Sequence, residues 1–119
     1  MGLTRYFNCN VTLTPELAHN VQNIIDASSV SLAGPDGSGV PEVTTGRVSF
    51  NGAGSDSGEP FTLTNGNNAS YCTTDGKPYD AVIVEIFNLL KTIDKDFYTD
   101  TDGYDDSDLI EAKFNKTFN

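Results

Sequence analysis

Residues 5–13 alternate without a break, and the chain then runs straight into a helix start. Phe7, Cys9, Val11 and Leu13 point one way, and Tyr6, Asn8, Asn10 and Thr12 point the other. This is the period-two pattern of a half-buried strand. On it, Cys9 reads as a core residue rather than a reactive thiol. Thr14 can cap the helix, Pro15 suits its first position, and Glu16 favours the positive end of its dipole. Leu13 and Ala18 stand at hydrophobic-staple spacing. Leu17, Val21, Ile24 and Ile25 form one apolar stripe, which predicts a helix ending near Ala27. His19, the only histidine, lies off that stripe and reads as solvent-facing.

The second strong signal is a helix over residues 79–92. Val82, Ile83, Ile86, Phe87, Leu90 and Ile93 share one face. Val84 and Leu89 widen it, which predicts burial on more than one side. Asp80 is a candidate cap with Pro78 just before it. Glu85, the one acid within this apolar stretch, reads as lying on the exposed edge.

Between the helices the signals are shorter. Residues 28–46 look like a long connection, with a turn cluster at Gly34-Pro-Asp-Gly-Ser-Gly39. Residues 47–52 alternate through Val48 and Phe50. Gly52 to Gly58 is a hairpin connection, and Phe61 and Leu63 mark the return strand. Asn65-Gly-Asn-Asn68 reads as a turn, with Tyr71 and Cys72 on a short third strand. Towards the end, Phe97-Tyr-Thr-Asp reads as a strand entering a turn. Residues 108–118 fit both a strand and a helix, and the strand is favoured by the Asp105-Asp106-Ser107 connection before it.

The order strand, helix, hairpin, helix, strand predicts a single α+β domain over residues 1–119. It resembles the ferredoxin-like, split βαβ arrangement, with two helices on one face of an antiparallel sheet. That fold hosts many unrelated activities, so architecture alone assigns none.

Charge narrows the partners. Seventeen acids face seven bases, a formal net charge of −10. Eight acids fall between Asp94 and Glu111 against one base, Lys95, so this stretch carries −7 of the total. Such a surface repels phosphate, which disfavours direct nucleic-acid binding and anionic membranes. A cation or a basic protein surface is the compatible partner. Asp100, Asp102, Asp105, Asp106 and Asp108 are the candidate partner-binding residues. The same run has the look of a calcium loop, but no register of it works. With Gly103 at the turn position, Tyr98 and Leu109 occupy ligand positions. With Asp100 and Glu111 at the ends, the glycine falls in the wrong place.

Other chemistries are poorly supplied. One His and two separated Cys cannot build a common zinc site. Ser-His-Asp catalysis would need the solvent-facing His19, and no nucleophile-elbow or phosphate-loop motif is present. The reading leans away from an enzyme; it names no catalytic residue and expects no metal or cofactor. Two cysteines are too few for a disulfide framework. With no apolar leader or ~20-residue apolar span, a cytoplasmic protein with reduced thiols is expected. Three Asn-x-Ser/Thr triplets, at Asn10, Asn68 and Asn115, are then coincidental.

One short run stands out, Tyr71-Cys-Thr-Thr-Asp-Gly-Lys-Pro-Tyr-Asp80. It leads from a strand into the main helix, near whose N-terminal end lies Lys77. Thr73, Thr74, Lys77, Tyr79 and first-turn amides could together hold a small anion or nucleotide.

Met1-Gly-Leu-Thr-Arg5 leading into an alternating strand, Lys77-Pro-Tyr-Asp80 opening a helix, and an acid-rich strand-turn-strand ending together resemble a family of small uncharacterised proteins of bacteria and their phages. The resemblance implies a bacterial or phage origin, and residence in the host cytoplasm if the chain is phage-encoded. It carries over no activity and no site residue. The chain departs from that pattern in its longer Gly/Ser-rich middle and its Asp-rich end.

The leading expectation is a non-enzymatic acidic protein engaging a basic protein surface, one form of which is a phage-encoded inhibitor. The alternatives are a small-molecule or nucleotide-binding module using residues 73–80 and 34–46, a calcium-dependent module, and a structural component of a viral assembly.

Overall fold

A computed structural model describes residues 3–102. The opening alternation forms β1, Thr4–Val11, with buried and exposed positions alternating along it. Helix α1, Pro15–Ala27, follows. The Thr14 hydroxyl accepts a hydrogen bond from the Leu17 amide at 3.1 Å, as the capping pattern predicts. Leu17, Val21 and Ile25 are buried, and His19 is exposed. The long connection contains two short strands, β2 (Leu32–Ala33) and β3 (Glu42–Val43). Next come β4 (Arg47–Gly52), β5 (Phe61–Thr64) and β6 (Gly66–Thr73). Helix α2, Asp80–Ile93, buries Val82, Ile83, Val84, Ile86, Phe87 and Leu90, so it is covered on more than one side. Glu85 is exposed. Strand β7, Tyr98–Asp102, completes the described chain. The ambiguous segment 108–118 lies outside the described residues.

The α+β class is as expected, and all strand pairs are antiparallel. The ferredoxin-like sheet is not what forms. Strands β6, β1 and β7 make one three-stranded sheet in that order. Strands β2, β3 and β5 all pair instead with β4, in a second sheet. Both neighbours of β1 run against it, so β6 and β7 are parallel to each other with β1 between them and α2 linking them. The predicted hairpin of β4 and β5 exists, but it belongs to the second sheet.

The cause lies at the corner between β5 and β6. Gly66 takes a φ of 95°, in the left-handed region that glycine enters freely. Asn68 is 7% exposed, and its amide closes on Thr64 from both sides. Its Oδ1 accepts from the Thr64 amide at 3.0 Å, and its Nδ2 donates to the Thr64 carbonyl at 2.8 Å. The side chain thus fills backbone positions that a continuing β5–β6 ladder would use. Strand β6 is free to leave β5 and pair with β1. Asn68 is part of this joint.

One core serves both sheets and both helices. Phe61 of β5 is its centre. Its ring lies 5.4 Å from Phe7, 5.5 Å from Phe50 and 5.9 Å from Phe87, with tilted or edge-on geometry. Phe87 extends the chain of rings to Phe97 at 5.3 Å.

The β4–β5 connection is drawn tightly against the core. Asn51, 2% exposed, donates to the carbonyls of Pro35 and Gly58 and accepts from the amides of Gly52 and Gly58. Gly52 has no room for a side chain, since a β-carbon there would collide with the Asp56 carbonyl oxygen.

Candidate functional site

The alternation of β1 continues inward at Arg5, opposite Cys72 on β6. Arg5 is 3% exposed, which a guanidinium tolerates only when it is paired. Its Nε and Nη2 each donate to one Asp80 carboxylate oxygen, both at 2.6 Å, in a bidentate fork. The Thr74 hydroxyl donates to the same carboxylate at 2.8 Å. Asp80 is therefore not the helix cap. That position is Tyr79, which makes no side-chain capping bond. Asp80 instead fastens the first turn of α2 to the middle strand.

The turn before α2 does bring Thr73, Thr74, Lys77 and Tyr79 together, but each turns its polar group onto the chain itself. The Thr73 hydroxyl meets that of Thr4 at 2.8 Å. Thr74 is fully buried on Asp80. The Lys77 ammonium donates to the Ser57 carbonyl at 2.7 Å and to that of Ser55 at 3.4 Å. The fully buried Tyr79 hydroxyl donates to the Glu59 carbonyl at 2.7 Å. The residues 34–38 reach the same region through Asn51 and through the Gly54 amide, which donates to Gly37. These groups tie three loops into one block.

The outer face of the β6–β1–β7 sheet is different in kind. Cross-strand partners set it out in rows. Thr73, Thr4 and Asp102 form the first row, Tyr71, Tyr6 and Asp100 the second, and Ala69, Asn8 and Tyr98 the third. Tyr6, Tyr71 and Tyr98 are 43%, 56% and 60% exposed. The Tyr6 and Tyr71 rings lie 6.0 Å apart at 42°. Tyr98 is diagonal to Tyr6, a separation that long side chains bridge. Beside Ala69, the three tyrosines line an open groove of about 310 Å³. No lysine or arginine occupies any of the nine positions in these rows.

Two predicted partner-binding residues, Asp100 and Asp102, are exposed on this face. Asp105, Asp106 and Asp108 lie outside the described residues. The acidic stretch is not uniform in role. Asp94 accepts from the Asn10 amide at 2.8 Å and from the Asp96 amide at 3.0 Å. It thereby serves a β1 amide beyond the last residue paired with β7. Thr73 and Asp102 flank Thr4 in the same row, so the acidic strand and the start of the turn share one face.

The thiols are shielded. Cys9 and Cys72 are free and buried. Burial pushes Cys9 up to about 11, with the nearby Asp94 charge adding to it. Burial likewise pushes Cys72 up to about 12. Burial raises the Tyr79 hydroxyl too. A raised acid pKa favours the folded state only while the group keeps its proton. That stability is complete below the unfolded value near 9 and is lost as pH rises through the folded values of about 11 and 12. We therefore expect iodoacetamide to label both thiols slowly at pH 8 and rapidly only in denaturant. Fast labelling of the native protein would contradict this arrangement.

Among the described residues, no three His, Cys, Asp or Glu side chains cluster as a metal site. No helix among them is long and apolar enough to cross a membrane. Comparison with family models, curated proteins and solved structures finds no match.

Proposed function

We propose that this is a non-enzymatic binding protein that engages a basic protein surface through the outer face of its β6–β1–β7 sheet. The observation that supports it is the pairing of Asp100 and Asp102 with exposed tyrosines on a face that carries no cation in its three described rows. Acidic residues that only kept a protein soluble would be interspersed with bases and would not border an aromatic groove. Protein interfaces favour tyrosine, which offers a large rigid contact with a polar tip.

The test is association with a panel of basic proteins followed by biolayer interferometry at low and high salt. Binding is expected to weaken with salt, because partly exposed charge pairs are screened. The Asp100→Asn/Asp102→Asn variant should weaken it several-fold while leaving the fold intact, since both side chains are exposed. Binding that ignores both salt and these substitutions removes the reading.

A further inference from the structure

Resting on that reading, we infer that the groove between Tyr6, Tyr71 and Tyr98 seats an arginine side chain of the basic partner, stacked on the tyrosine rings and bonded to Asp100. The geometry supports arginine in three ways. Three tyrosines line the groove, and at about 310 Å³ the space suits one long side chain rather than a folded element. Asp100 is directly across the strand pair from Tyr6, so a cation over that ring has a carboxylate beside it. The three rows supply carboxylates but no competing cation.

The guanidinium is the group that meets both demands together. It is planar, so it stacks on a ring while its edge presents paired N–H donors to a carboxylate. A lysine ammonium reaches the same charge but neither stacks nor forms a fork. A nucleobase would also stack, but it brings phosphates towards Asp100, Asp102 and a chain of net charge −10. A sugar ring would stack without using the carboxylates at all. The partner thus fits as a protein segment bearing exposed arginine.

The test uses the full chain and two short peptides of equal length and charge, one arginine-rich and one lysine-rich. Binding is followed by amide and tyrosine-ring NMR shifts. The arginine peptide is expected to bind several-fold more tightly and to shift Tyr6, Asn8, Tyr71 and Tyr98. Tyr6→Ser/Tyr71→Ser should abolish the preference for arginine and leave a weaker, salt-sensitive binding to both peptides. Because wild-type shifts map the contact directly, the result stands even if that double variant loses stability. Equal binding of the two peptides, or shifts confined to residues away from the groove, overturns the arginine seat while the acidic-face reading survives. Absence of binding by either peptide overturns the arginine seat; absence of binding across the basic-protein panel overturns the acidic-face reading as well. Shifts at the tyrosines on adding a neutral oligosaccharide, with none on adding the arginine peptide, overturn the seat as well.

Discussion

Asp80→Ala is expected to lower the unfolding free energy by about 3–5 kcal/mol, the usual cost of breaking a buried ion pair from one side. The substitution leaves the Arg5 guanidinium charged at 3% exposure and strips away the two 2.6 Å bonds that Asp80 gives it. It also takes the acceptor from the Thr74 hydroxyl. Domains are typically stable by only about 5–15 kcal/mol, so this loss is a large share of the total. A double variant separates the pair's net value from the cost of removing one member. Arg5→Met/Asp80→Leu replaces both charges with apolar side chains, a change that in other proteins is often neutral or stabilising. Urea unfolding of the two single variants and the double variant gives the coupling directly. A loss below about 1 kcal/mol for Asp80→Ala would show that water reaches this pair, because pairs in solvent contribute about that little.

Phe61→Ala should cost about 3–5 kcal/mol, as large-to-small changes do at well-packed core phenylalanines. Its ring meets Phe7 from the first sheet, Phe50 from the second and Phe87 from α2. Removing it opens a void where all three layers meet. Phe97 provides the contrast. It is half-buried and, among the described residues, the one ring it meets is Phe87, so Phe97→Ala should cost much less. Equal costs at the two positions, measured by urea unfolding, would mean that the layers are held together elsewhere.

The legible parts of the fold were those written in short-range pattern. The alternation of β1, the Thr14-Pro15-Glu16 helix start and the broad apolar face of α2 each follow from neighbours a few residues apart. The role of Asp80 does not. An acid beside Pro78 reads as a cap, yet its partner lies 75 residues away. One signal was available. Stepping the Phe7, Cys9, Val11 alternation back by two residues places Arg5 on the inner face, and a buried arginine demands an acid. The division into two sheets was hidden for another reason. It depends on Asn68 folding back onto Thr64, whereas an Asn-Gly-Asn-Asn run reads as an ordinary hairpin turn. The tyrosine groove was equally out of reach. Tyr6 could be placed on the outer face, but its meeting with Tyr71 and Asp100 is a matter of register between strands far apart in sequence. The acidic strand was visible from composition. What it stands beside was not.

The central place of β1 has a consequence for how the chain folds. Its eight residues precede both neighbours in the chain, and those neighbours are made late. Thr4 meets Thr73 on one side and Asp102 on the other. During synthesis the Phe7, Cys9 and Val11 side must wait, unpaired, through the making of α1 and the whole second sheet. Closing loops that long costs entropy before any contact repays it, so folding should be slow for a domain of this size. The second sheet, whose strands are close neighbours in sequence, is placed to form first. It then offers Phe50 and Phe61 as a surface on which the oldest strand can settle, once its two partners arrive.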